Sequence, residues 1–129
     1  MNNLNILDCT CRDGGYYNNW YFDKNKINKY LQLCSKIKIN YVEIGFLFDK
    51  AKYPNLGPFA YSEKKNLDNL NIPKNIKIAV MINAKDLYSL TAKEIKFQLT
   101  KTLSPLKKHV VMVRVAIDFD EFLKSQFIL

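Results

Sequence analysis

The sequence predicts an α/β fold in which parallel strands alternate with helices, and three observations carry that prediction. Short apolar runs rich in β-branched residues occupy positions 4–9, 41–46, 76–82 and 110–117, as buried strands do. Their starts fall about 35 residues apart, which leaves room for a helical crossover each time. Between them, apolar residues recur at helical spacing.

The first strand leads into Asp8-Cys9-Thr10-Cys11-Arg12-Asp13-Gly14-Gly15-Tyr16-Tyr17-Asn18-Asn19-Trp20. The expected form is a strand that ends in Arg-Asp-Gly-Gly, with a cation and a carboxylate at the rim of the sheet. Gly14 and Gly15 then allow a turn with positive φ and a close approach to a ligand. Tyr16, Tyr17 and Trp20 follow as walls of a pocket. Read in isolation, the same stretch is also a strand, a turn and a surface ion pair.

Ile27, Tyr30, Leu31, Leu33, Cys34 and Ile37 mark an amphipathic helix over residues 24–38, with Asp23 as its N-cap. Residues 49–58 carry Pro54, Gly57 and Pro58 and read as an irregular loop. A weaker helix is expected over 61–70, stopped before Pro73. Leu90, Ile95, Leu99 and Leu103 predict another helix, capped by Thr91 and ended at Ser104-Pro105.

Strand alternation separates the candidate architectures. Val42, Ile44 and Phe46 form one apolar face, matched by Ile78, Val80 and Ile82 and by Val111, Val113, Val115 and Ile117. The opposite parity holds Asp8, Thr10 and Arg12, then Tyr41, Glu43 and Gly45, then Ala79, Met81 and Asn83, then Met112, Arg114, Ala116 and Asp118. A doubly wound sheet would bury that polar face under helices at high cost. In a barrel the same face lines the interior, and its charges gather at the carboxyl ends of the strands. Those charges either pair inside a core or form a site, and buried pairs concentrate at sites.

The 129 residues suit one domain with a real core. The net charge of +8 is spread along the chain without a block of like charges, so no nucleic-acid arm is indicated. Cys9 and Cys11 fall on one face of the expected strand, and C-x-C alone does not complete a tetrahedral zinc site. With Cys34 they read as reduced thiols acting as small apolar residues. Met1-Asn2-Asn3 lacks the basic start of a signal peptide, and no apolar run spans a membrane; a cytoplasmic location is expected.

Asp8-x-Thr10-x-Arg12-Asp13-Gly14-Gly15-Tyr16 resembles the first-strand signature of the metal-dependent aldolase and lyase barrels. That superfamily includes 3-hydroxy-3-methylglutaryl-CoA lyase, isopropylmalate synthase and 4-hydroxy-2-oxovalerate aldolase, the last being nearest in kind. Tyr41-Val42-Glu43-Ile44-Gly45-Phe46 is similar to the second strand, as are Gly57-Pro58-Phe59 and Val113-Arg114-Val115-Ala116 to later patches. The resemblance implies the amino-terminal half of a (β/α)8 barrel, one partial domain over residues 1–129. It implies carbon–carbon bond chemistry beside a 2-oxo acid, through a pyruvate enolate. Asp13 would ligate a divalent metal, Mg2+ or Mn2+, that acts as a Lewis acid. Arg12 would stabilise the enolate oxygen and bind substrate. Glu43 would buttress Arg12 or assist proton transfer, and Tyr16 would contact substrate.

The departures are specific. One branch of the family has a histidine where this chain has Tyr16, so a base is missing there unless the phenol serves. The family's His-x-His metal ligands have no counterpart. The single histidine, His109, precedes the fourth strand and reads as a strand-entry residue. The chain stops after the fourth strand, at Phe127-Ile128-Leu129, which reads as truncation relative to the family. Little or no activity is expected from this chain alone. The alternative is a non-catalytic half-barrel subunit that pairs with a second copy or with a complementing carboxyl-terminal half.

Overall fold

The computed structural model describes residues 4–128. Met1–Asn3, on which the signal-peptide expectation rests, and Leu129 lie outside them. The elements are β1 (Leu7–Asp8), α1 (Thr10–Asn18), α2 (Lys24–Lys36), β2 (Tyr41–Phe46), α3 (Pro58–Tyr61), α4 (Lys64–Asp68), β3 (Lys77–Asn83), α5 (Ala92–Leu103) and β4 (Val110–Ala116). All strand pairs are parallel, and the spatial order is β1-β2-β3-β4. A doubly wound sheet reverses its order at a switch point, whereas a barrel adds each strand beside the last. The observed order is that of half a barrel.

Local chemistry accounts for the helices. Asp23 caps α2, its carboxylate accepting from the Lys26 N–H at 2.9 Å. Thr91 and Glu94 form a capping box at the start of α5. Ile27, Leu31 and Cys34 of α2 pack with Val42, Ile44, Ile78 and Val80 in one contiguous core. A smaller cluster of Ile82, Leu87 and Ile95, joined by Leu99, Val113 and Val115, seats α5. The central strands β2 and β3 are buried almost throughout, while β4 at the edge stays half-exposed. The helix expected over 61–70 is instead the separate short helices α3 and α4, divided at Ser62, which adopts a left-handed backbone. Among the described residues no helix is long and apolar enough to cross a membrane.

The opening stretch differs most from expectation. β1 is short, and Arg12, Asp13, Gly14 and Gly15 lie on α1 rather than at a strand end. Neither glycine has positive φ; the left-handed positions are Asn19 and Trp20, just past the helix. Gly15 is needed for contact instead, because a Cβ there would occupy the space of the Trp20 indole. Cys9 and Cys11 consequently do not share a strand face, since Cys11 is buried in α1. All three cysteines are free thiols.

Val111, expected on the helix-facing side, is skipped by a register shift that pairs Val110 with Ile78 and Met112 with Ala79, and is exposed. Two other residues change sides. Asp8 pairs in register with Val42, so it faces the helices, where it accepts hydrogen bonds from the Tyr30 hydroxyl of α2 and from the Thr10 N–H at 2.9 Å. The expected parity had set it with Glu43. Phe46 moves the other way. A bulge at Ile44 leaves Glu43 opposite Ala79 but brings Gly45 opposite Val80 and Phe46 opposite Met81. Phe46 therefore joins the inner face, on the side of Glu43 and Arg12. Gly45 takes the outer position, where a Cβ would collide with the Phe59 carbonyl.

Candidate functional site

Three elements deliver charge to the inner face near the carboxyl ends of the strands. Glu43 comes from β2, Arg114 from β4, and Arg12 from the first turns of α1. Glu43 is fully buried, and its Oε2 accepts from Arg12 Nε at 2.9 Å and from Arg114 Nη1 at 3.1 Å. Its other oxygen, Oε1, has no hydrogen-bond partner among the described residues. Arg12 and Arg114 are the two arginines of the chain, and all other basic residues except His109 are lysines. Both arginines meet at one carboxylate oxygen. The planar guanidinium suits this better than an ammonium, because it is less strongly hydrated and keeps several donors in fixed directions.

Arg12 is 14% exposed, with Nη1 held by Asp13 Oδ1 at 2.5 Å. Burial works to lower its pKa, but the Glu43 hydrogen bond and the charges of Asp13 and Glu43 outweigh it, and the net direction is up. Arg12 stays a cation. Its ring neighbour is Phe46, 5.7 Å from the guanidinium carbon. The Arg12 carbonyl accepts from the Trp20 indole N–H at 3.0 Å, which pins helix and loop together. Trp20, Phe46 and Phe48 pack as one aromatic wall, with Phe46 and Phe48 stacked at 4.3 Å.

Cys9, at the end of β1, completes the cluster. Its Sγ lies 3.2 Å from Arg114 Nη1. Burial pushes its thiol pKa up, the negative charge of Glu43 adds to the rise, and the two arginines oppose it. Nothing in the C-x-C spacing pointed to this position. The signal was the register, which puts Cys9 beyond Asp8 on the face of Glu43.

The expected site residues are distributed as follows. Arg12 and Glu43 are bonded. Asp13 is beside them but 61% exposed. Tyr16 is one helical turn beyond Arg12, 62% exposed, with its ring 4.9 Å from that of Trp20 and 6.2 Å from that of Phe46. Tyr17 points into solvent, and Trp20 is buried in the wall, so of the three aromatics only Tyr16 fringes an open surface. His109 lies at the amino end of β4, its Nε2 2.6 Å from Asp68 Oδ1. That is the opposite end of the strand from Arg114.

A divalent metal finds one exposed carboxylate here, Asp13, already engaged by Arg12, while Glu43 is buried and holds both arginines. Among the described residues no group of three His, Cys, Asp or Glu side chains stands close enough to hold a metal ion. Hard cations take several oxygen ligands. This donor set does not fit a metal centre by itself.

No family model matches the chain, and no curated protein does. It is similar to a crystal structure described as "the N-terminal domain of a putative aldolase from Bacteroides vulgatus", with 35% identity and a TM-score of 0.79. The match covers 95% of this chain and 38% of the other. The chain thus spans well under half the length of the structure it resembles, and the likeness extends over nearly all of its own sheet and helices.

Proposed function

We propose that this chain carries the enolate-stabilising corner of an aldolase or lyase that makes or breaks a carbon–carbon bond next to a 2-oxo acid. The observation that carries the reading is Arg12, a shielded guanidinium oriented through Nε by a fully buried carboxylate. In retro-aldol cleavage the electron pair of the breaking bond moves into the 2-oxo acid, and negative charge collects on its carbonyl oxygen. A cation already fixed in a water-poor site stabilises that charge without reorganising. Glu43 positions Arg12, and Tyr16 offers a hydroxyl on the same face of α1. The aldolase description of the similar structure supports the reaction class. A metal would require donors beyond Asp13, so its part belongs to a site assembled with further chain.

The test is pyruvate release from a 4-hydroxy-2-oxo acid, with Mg2+ or Mn2+ supplied. The wild-type chain is compared with Arg12→Ala and Asp13→Ala. We expect slow turnover that falls at least about tenfold in Arg12→Ala. Robust turnover that is equal in all three proteins would sink the assignment.

A second reading, a non-catalytic half-barrel subunit, is favoured by β1 and β4, which each pair with a single strand among the described residues. Beyond β4, Phe119, Phe122 and Leu123 are exposed. An open edge invites another chain, either a second copy or a complementing half. Light scattering that shows a monomer at all concentrations would count against it.

A further inference from the structure

Arg114 does more on this face than neutralise Glu43. We infer that it forms an anion subsite for a carboxylate group on the inner face of the sheet, beside Arg12. Three observations carry this. First, the acids are shared unequally: Glu43 and Asp13 match the two guanidiniums in number, but Asp13 pairs with Arg12 alone and Arg114 has only a part share in Glu43. Second, Arg114 is anchored through Nη1 only, to Cys9 Sγ and Glu43 Oε2, and none of its other nitrogens is bonded among the described residues. Its side chain is 39% exposed, so the remaining edge of the fork is open to a ligand. Third, its nearest strand neighbours on the open side are mostly apolar, with Asn83 the polar exception. Met81 is its register partner, Phe46 lies beyond Met81, and Ala116 follows on β4. Glu43 occupies Nη1 only, and a second carboxylate matches the remaining guanidinium edge with two parallel hydrogen bonds.

The subsite rests on the functional reading in one respect. A 2-oxo acid places a carboxylate next to its carbonyl, and the two arginines stand side by side on Glu43 Oε2 to receive one each. Arg12 takes the carbonyl oxygen, and Arg114 takes the carboxylate. Arg114 is thus a substrate-positioning group of the same site.

Two arginines in the chain make a direct experiment possible on the unaltered protein. Phenylglyoxal modifies arginine, and peptide mass spectrometry follows Arg12 and Arg114 separately. The probes are acetate, pyruvate and chloride at equal ionic strength. Arg114 should react several-fold faster than Arg12 when chloride alone is present. Acetate and pyruvate should each slow Arg114 several-fold relative to chloride. If both leave the Arg114 rate as chloride does, the subsite is overturned. The functional reading is tested by the other peptide: pyruvate should protect Arg12 where acetate does not. Protection of Arg114 without that difference keeps the subsite and removes the 2-oxo acid. As a second line, Arg114→Lys keeps the charge beside Glu43 but loses the fork, and should weaken pyruvate binding in calorimetry. Unchanged affinity in a folded Arg114→Lys protein would also overturn the subsite.

Discussion

Trp20 donates its indole N–H to the carbonyl of Arg12 at 3.0 Å while its ring fills the space beside the Gly15 α-carbon. The two glycines of α1 therefore have different fates. At Gly14 a Cβ would meet only the Phe22 ring, at an ordinary 3.8 Å, so Gly14→Ala should stabilise the chain by about 0.5–1 kcal/mol through helix propensity. Gly15→Ala must displace the indole and should cost about 1–3 kcal/mol. Urea midpoints that move the same way for both variants would contradict this.

Removing the charge of Glu43 leaves two guanidiniums facing each other inside the sheet. Breaking a fully buried pair costs about 3–5 kcal/mol, and the partial exposure of Arg114 and the Asp13 partner of Arg12 place this one below that range. Glu43→Gln should therefore lower the urea midpoint despite its equal size. A variant as stable as the wild type would show that the arginines swing freely to solvent.

The same substitution should reach Cys9. Burial raises that thiol's pKa first, and the Glu43 charge adds to it. Without the charge, with Arg114 still 3.2 Å away, the thiolate forms more readily. In folded Glu43→Gln protein, alkylation of Cys9 by iodoacetamide at mildly alkaline pH should be faster than in the wild type. Cys11, pushed up to about 12 by burial, should stay slow in both. An unchanged Cys9 rate would place Glu43 outside its electrostatic reach.

Acid should weaken the contact between α4 and β4. Lys64 first, and then His109, lower the Asp68 pKa to about 2. A folded-state value below the unfolded one contributes stability that is present above the unfolded pKa and lost as pH falls toward the folded one. The window lies between about pH 4 and pH 2. Asp68→Asn should be less stable than the wild type at pH 6, and the difference should close below that window. A gap that persists at pH 2 would mean that the loss was in packing.

Much of this architecture was legible in the sequence because its causes are local. The β-branched runs at 41–46 and 110–117 became strands with little change in bounds. Asp23 and Thr91 cap helices because each side chain satisfies an N–H three residues away. The proximity of Arg12 to Glu43 came from resemblance to a known motif, and strand parity reached the same pair from a wrong premise. Arg12 is on a helix, and its place on the inner face comes from where α1 sits.

The stretch from Asp8 to Trp20 shows the division. Its composition alone carried a cation, a carboxylate and one close-packed glycine, Gly15, to one corner of the fold. Which face each residue serves was decided by distant partners. Tyr30 turns Asp8 toward the helices from 22 residues away, and Arg114 reaches Cys9 from 105 residues away. The bulge at Ile44 reverses the parity of Phe46, since Gly45 must lie under the Phe59 carbonyl. Period and capping are properties of a segment and can be read from it. Register and facing are properties of contacts between segments, and they exist only once the sheet is assembled.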